Sequence, residues 1–423
     1  MKEKLKKLLK VLGPGFITGA ADDDPSGIAA YSQTGAMFGY SQAWTALFTF
    51  PFMTVIQEIC GRIGLATGMG LSGIIRRYYS KWILYGAVFV LFFANTINIA
   101  ADLSAMAASA KLIFDIPYVF WLIVLTVTTI TLEVFVSYAV YARLLKYLTF
   151  ALFSYIFAAI IIKQEWINVL KSTVLPTVYF SKEYLFNIVA ILGTTISPYL
   201  FFWQADEEVE EEIEHHKIAS MGRGKPHITG KDISQLRLDT VIGMFFSNIV
   251  MFFIIITTAS TLHLNGILSI ETADQAALAL KPIAGDFAFL LFAAGIIGTG
   301  LLAVPILAGS ASYALSESFG WRTGLNERFS KAKTFYFVIA LATLLGLLIG
   351  FLPIKPFQIL YYSAILNGVC APILLILIMK ISNNKQIMNG RTNPKVSNIM
   401  GWLITVIMAI ASVAVILSFL KVF

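Results

Sequence analysis

The sequence predicts an all-α polytopic membrane protein with about eleven transmembrane helices, arranged as a five-plus-five inverted repeat with breaks in helices one and six. Three observations carry this expectation. The 423 residues are 58% hydrophobic and 13% charged, with a mean hydropathy of +0.78, whereas a soluble domain carries roughly a quarter charged residues. Apolar runs such as 82–94, 118–131, 241–257 and 335–351 extend with their flanks far enough to cross a hydrocarbon layer about 30 Å thick. These runs are continuous, unlike the alternating strands of a barrel. Finally, two of the runs, five spans apart, are broken by a proline set among glycine and polar residues, Asp24-Pro25-Ser26-Gly27 and Gly193-Thr194-Thr195-Ile196-Ser197-Pro198.

Taken in order, the first span is expected at about 12–38, after a basic start of Lys2, Lys4, Lys6, Lys7 and Lys10. It is not expected to be a cleaved signal, because acids interrupt the apolar run and a small-residue cleavage pattern is missing. Its break is Asp24-Pro25-Ser26-Gly27, preceded by Asp22 and Asp23. The second span, 42–68, holds Cys60, the gate candidates Gln57 and Glu58, and Arg62 one helical turn beyond Glu58 as its partner. The third, 82–112, carries Asn95, Asn98 and Asp102 on one face. They lead into a polar path or hydrogen-bond to other helices. The fourth and fifth fall at 118–140 and 144–163, and the sixth at 185–213, broken across 193–198 by Gly193-Thr194-Thr195-Ile196-Ser197-Pro198. The seventh to ninth fall at 233–262, 277–316 and 334–352. The tenth, 356–380, contains Asn367-Gly368 and Cys370, and the eleventh is 398–420. Some spans exceed what a bilayer needs, which fits tilts and breaks. The two cysteines sit in apolar runs and read as small core hydrophobes.

Basic residues test this segmentation. With the N-terminus in the cytoplasm, 24 of the 31 Lys and Arg fall on the cytoplasmic side. Only Lys111, Lys163, Lys171, Lys182, Lys281, Lys355 and Lys421 fall outside. Eleven spans therefore satisfy the positive-inside rule and leave the C-terminus outside, in a cell inner (plasma) membrane. The net charge of +7 is thus topology and does not suggest nucleic acid. The chain reads as a single transporter domain: repeat one at about 12–163, repeat two at about 185–380, and an added helix at 398–420.

Proline removes a backbone donor and clashes with the preceding turn, and glycine tolerates the unwound backbone that results. At membrane depth, free backbone groups survive only where protein or a water-filled cavity satisfies them. A lone proline reads as a kink. A second broken helix five spans later reads as the paired breaks of a secondary transporter. An ionised Asp at the bilayer centre costs about 2.5–3.5 kcal/mol, and no basic partner lies within the same span. A bound cation is the simplest compensation. On a helix, Asp22, Asp23 and Asp24 would point about 100° apart. Asp24, beside the proline, is the favoured ligand, with Asp22 and Asp23 lining the approach.

The breaks resemble those of the Nramp family of divalent-metal transporters, whose first helix carries Asp-Pro-Gly-Asn and whose sixth carries Met-Pro-His. Here these read Asp24-Pro25-Ser26-Gly27 and Ser197-Pro198-Tyr199. Ala66-Thr67-Gly68 and Asp102-Leu103 also match. The resemblance implies metal coordination by Asp24 and the Thr194 carbonyl, with Asp23 as a further candidate. It places the family's Asn ligand on Gly27, its Met on Ser197, and its proton-route His on Tyr199. Span three keeps Asp102, but the family's Glu is Ala105.

A thioether favours soft metals, whereas carboxylate, carbonyl and water suit Mg²⁺, Ca²⁺ and Mn²⁺. A wider all-oxygen site suits Mg²⁺, which keeps several waters. The pattern looks like the Nramp-related magnesium transporter branch. It implies import of Mg²⁺, and also Mn²⁺, by alternating access without strict proton coupling. Asp22, Asp102, Tyr199 and Asn367 are the proton- or ion-pathway candidates. A monomer that deals with divalent ions and the lipid bilayer is expected, with no cofactor beyond the transported cation.

Two alternatives stand beside this reading: a proton-coupled Mn²⁺/Fe²⁺ importer, and an organic-cation or amino-acid carrier of the same architecture. An enzyme is not expected. No P-loop, dinucleotide turn or HExxH occurs, and all four His fall between spans. The acidic stretch DEEVEEEIE, from Asp206 to Glu214, reads as a solvated helix end leading into a polar cytoplasmic loop, with attraction of exiting cations as the alternative. His215, His216 and His227 read as loop residues near it.

Overall fold

A computed structural model describes residues 13–136, 152–162, 164–179, 181–224, 226–325 and 327–420. Among these residues the only regular secondary structure is helical. The helices are α1 (Pro14–Asp22), α2 (Pro25–Phe38), α3 (Trp44–Thr67), α4 (Leu71–Tyr78), α5 (Lys81–Ile113), α6 (Tyr118–Phe135), α7 (Phe153–Ile161) and α8 (Trp166–Val174). They continue as α9 (Lys182–Thr195), α10 (Pro198–Glu214), α11 (Gly230–Thr261), α12 (Ala288–Phe319), α13 (Lys333–Gly350), α14 (Pro356–Ser382) and α15 (Lys395–Phe419). Short helical turns fill 273–287.

Eight apolar helices among the described residues are long enough to cross a membrane. They correspond to predicted spans three, four and six to eleven. Predicted spans one and two appear as α1–α2 and α3, with a bend of 110° between the helix ending at Gln42 and α3. The first part of predicted span five, 144–151, and the end of span four, 137–140, lie outside the described residues. The predicted start of span eight at 277 was early, because Pro282 and Gly285 keep that stretch in short turns and the long helix begins at Ala288.

Both proline breaks are present, and their geometry follows from the local sequence. A residue before proline is pushed out of the α region, and proline itself suits the first helical position. Asp24 is accordingly extended (φ −66°, ψ 169°) with Pro25 opening α2. Ser197 is extended (φ −81°, ψ 136°) with Pro198 opening α10. Asp24 caps α2 by accepting the Gly27 N–H, as N-cap aspartates do. Ser197 makes no such cap. Its hydroxyl turns back onto the last carbonyls of α9, 2.7 Å from Gly193 O and 2.6 Å from Thr194 O.

Close backbone approaches hold the broken helices in place, as expected where small residues let membrane helices meet. Gly19 of α1 lies against Gly243 of α11, and Gly193 of α9 against the Ala364–Gly368 turn of α14. A side chain at Gly193 would overlap the Ala364 carbonyl oxygen and the Gly368 N–H, both backbone atoms that cannot swing aside. We expect Gly193→Val to destabilise the fold by at least the ~1–3 kcal/mol typical of overpacking. A lower melting temperature in detergent, with near wild-type behaviour retained in a conservative Ile188→Val control at a partly buried position of the same helix, checks this.

The expected Glu58–Arg62 pair forms at 3.3 Å and is buried. Arg237 reaches the same Glu58 oxygen at 3.4 Å. Arg62 also donates to Thr392 O at 2.9 Å and Asn393 Oδ1 at 2.7 Å, just before α15. Large apolar side chains such as Trp82, Phe89, Leu348, Ile399 and Ile410 are left exposed on the long helices. In a chain of this composition they face lipid.

Candidate metal-binding site at the helix breaks

The two breaks face each other inside the bundle. The Tyr199 hydroxyl of α10 donates to Ala21 O at the end of α1, at 2.9 Å. One orphan carbonyl of the first break is thus satisfied by the second. The Thr194 hydroxyl lies 3.4 Å from the Tyr31 hydroxyl of α2. Ser310 of α12 donates to Tyr199 O at 2.9 Å, so a third helix steadies the start of α10.

The three consecutive aspartates are all buried, and the break sends them in two directions. Asp22 ends α1, Asp23 lies in the break and Asp24 opens α2. Asp24 turns toward α5. Its Oδ1 accepts the Ser26 hydroxyl and the Gly27 N–H, each at 2.7 Å. Its Oδ2 accepts the Asn98 amide at 3.0 Å. Asn367 of α14 reaches Asn98 Oδ1 at 3.5 Å, extending the chain of amides toward the tenth predicted span. Asp22 and Asp23 instead turn toward α11. Ser247 donates to Asp22 at 2.6 Å and lies 3.3 Å from Asp23. One oxygen of each, Asp22 Oδ1 and Asp23 Oδ2, has no protein partner.

Asp102 is fully buried, has no side-chain partner and only the Ser26 backbone N–H nearby, and lies within charge–charge range of Asp24. An isolated carboxylate in such a place is costly unless it holds a proton or faces a cation. Asn95, on the same face of α5, donates to Leu307 O at 2.9 Å, which is an interhelical bond and not part of the junction.

The structure thus brings together Asp24, Thr194, Ser197, Gly27, Tyr199, Asp102 and Asn367, and sets Asp22 and Asp23 one step aside on Ser247. Gly27 enters as an N–H donor that fixes the Asp24 carboxylate, because a donor cannot ligate a cation. Ser197 presents an oxygen against the Thr194 carbonyl. Asp24, the Thr194 carbonyl, Asp102 and the amide oxygens of Asn98 and Asn367 are the groups able to meet a cation here. Among the described residues no three His, Cys, Asp or Glu side chains converge as a resident metal centre requires. Oxygen donors spread over both breaks have the chemistry to meet a transient ion and do not form a cage.

Sequence reasoning did not single out Ser247, Tyr31 or Asn98 as site residues. Asn98 was legible as one of three polar residues on a helix face. Ser247 and Tyr31 carry no local signal, since a lone serine or tyrosine in an apolar helix is ordinary.

The acidic stretch departs from its expected reading. Asp206, Glu207, Glu208, Glu210 and Glu212 are buried, so this is not a solvated helix end, and α10 runs on to Glu214 before any loop begins. Tyr313 donates to Glu210 at 3.0 Å, and Gln204 to Glu208 at 2.9 Å. Asp206 lies beside Glu317 of α12, whose two oxygens accept the Gly70 and Gly73 N–H groups at the start of α4, each at 2.9 Å. Gly61 and Gly64 of α3 let that helix close over α10 and bury the acids.

Known proteins share both sequence and fold with this chain. The profile of the family described as Natural resistance-associated macrophage protein-like (Nramp) matches residues 15–418. The divalent metal cation transporter MntH of Caldanaerobacter subterraneus subsp. tengcongensis is 24% identical over 422 residues, covering 95% of this chain and 91% of that one. MntH of Klebsiella pneumoniae (strain 342) is 24% identical over 413 residues, covering 95% and 92%. In fold, the chain is similar to the crystal structure of the Eremococcus coleocola manganese transporter, with a TM-score of 0.76 at 16% identity over 98% of this chain and 87% of that one.

Proposed function

We propose that this chain, which belongs to the Nramp family and is a membrane transporter of divalent metal ions rather than an enzyme, takes Mg²⁺ as its main cargo and also accepts Mn²⁺. The observation that carries the reading is the chemistry of the junction. Every group there able to meet a cation is an oxygen, and the Ser197 hydroxyl stands where the family pattern has a thioether. Oxygen ligands suit hard cations, and Mg²⁺ keeps waters for which Gly27 and Ser197, in place of the family's longer Asn and Met, leave room. The relatives named for divalent-metal or manganese transport support the broader class and keep Mn²⁺ within it.

Transport runs by alternating access about the two breaks, down the electrochemical gradient and without strict proton coupling. The charge pattern supports a cytoplasmic N-terminus and an external C-terminus in the plasma membrane, and the protein works as a monomer. One observation favours a second reading. The unpaired Asp102 carboxylate is where a proton would ride if transport were proton-coupled.

Proteoliposomes holding a Mg²⁺-sensitive dye, with internal pH followed in parallel, separate the two. We expect Mg²⁺ to enter without acidification. Failure of Mg²⁺ entry while Mn²⁺ enters together with protons would establish the second reading.

A further inference from the structure

We propose a second site for a hydrated divalent cation, in a cavity of about 160 Å³ at the foot of the first and sixth predicted spans, apart from the junction of the breaks. It lies on the side that the basic residues assign to the cytoplasm. The cavity is bounded by the N-terminal end of α1 at Gly13, the far end of α10 and the first turns of α11.

Five carboxylates border it: Glu208, Glu211, Glu212, Asp232 and Asp239. Three are engaged elsewhere. Asp232 pairs with Lys217 at 3.0 Å, and Lys217 is the only lysine or arginine among the lining residues. Asp239 accepts the Gly13 and Gly15 N–H groups at 3.0 and 2.7 Å, capping α1. Glu208 accepts the Gln204 amide at 2.9 Å. Glu212 is different: it is 1% exposed, lines the cavity, and neither carboxylate oxygen has a hydrogen-bond partner, the Lys217 ammonium that pairs with Asp232 acting on it only through space. A buried carboxylate of this kind requires a proton or a cation.

The site is not a cage of direct ligands, since no three such side chains converge among the described residues. It suits an ion that keeps its water shell, as Mg²⁺ does, in a cavity with room for several waters. Because its walls come from α1, α10 and α11 together, an ion there ties the first broken helix to the sixth and seventh spans. Occupancy therefore holds α1 docked, and a filled cytoplasm slows further entry.

The test uses the whole chain in nanodiscs of neutral phosphatidylcholine, so that lipid headgroups do not bind the probe. Mn²⁺ binding is read by the electron paramagnetic resonance of the free ion. We expect Asp24→Ala to retain one bound Mn²⁺ per chain, and Glu212→Gln added to it to weaken that binding at least about tenfold, roughly 1.4 kcal/mol. Glu211→Gln, at a partly buried position, is expected to weaken it in the same direction and serves where the first variant fails to fold. Binding in the Asp24→Ala background that is absent, or that neither Gln substitution changes, overturns the proposal. If Asp24 is not the transport ligand, Asp24→Ala binds like the wild type, and the effect of Glu212→Gln remains readable.

Discussion

Asp24→Ala is expected to abolish Mg²⁺ and Mn²⁺ uptake. The Asp24 carboxylate is the one acid held at the junction by donors from both sides, Gly27 and Ser26 on one oxygen and Asn98 on the other. Leaving a buried charge without its partner costs on the order of 3–5 kcal/mol. At about 1.4 kcal/mol per tenfold, uptake should fall more than about 100-fold. The alanine also removes the cap of α2, which by itself costs about 1 kcal/mol. Asp24→Asn separates the two effects, because asparagine caps as well as aspartate but carries no charge. Normal elution and melting of Asp24→Asn together with lost uptake would assign the loss to the charge. Uptake by Asp24→Asn within a few-fold of wild type would remove Asp24 as the ligand.

Ser197→Met is the second large effect. It places a thioether beside the Thr194 carbonyl, where the hydroxyl now sits 2.6 Å away. A soft sulfur favours soft cations over Mg²⁺. We expect the ratio of Cd²⁺ to Mg²⁺ uptake to rise by about tenfold or more, a shift of roughly 1.4 kcal/mol. Ser197 is buried, so the longer side chain also crowds the break and absolute rates will drop. The readout is therefore the ratio in one preparation, measured by competition. An unchanged ratio would mean that this position does not set selectivity.

The long helices and both breaks could be read directly from the sequence. Pro25 and Pro198 fix φ and remove a donor, and the polar residues and glycines around them mark a break, whereas Pro51, Pro305 and Pro372, flanked by apolar residues, stay inside continuous helices. Apolar runs of membrane length need no tertiary information. The candidate residues were legible as residue chemistry, and Asp24, Thr194, Ser197, Tyr199, Asp102 and Asn367 lie near the meeting of the two breaks. The direction of each aspartate was not legible, because it depends on which neighbouring helix offers a donor. Ser247 draws Asp22 and Asp23 one way, and Asn98 draws Asp24 the other. The acidic stretch from Asp206 to Glu214 misled for the same reason. Seven acids in nine residues look like a wet surface, and only the close approach of the α3 glycines and the Tyr313 hydroxyl, far off in sequence, reveals that five of them are buried.

The knot around Arg62 has a consequence for the order in which the chain is made. Glu58 lies four residues away and is available as soon as α3 exists, but Thr392 and Asn393 emerge more than three hundred residues later. Ser412 of α15 then donates to Gly368 O in α14, fastening the last helix at a second point. Synthesis is vectorial, so the oldest part of the bundle waits on the newest to complete its hydrogen bonds. Until residues 392 and 393 are in place, Arg62 has only Glu58 to pair with, so this buried cluster closes with the last helix.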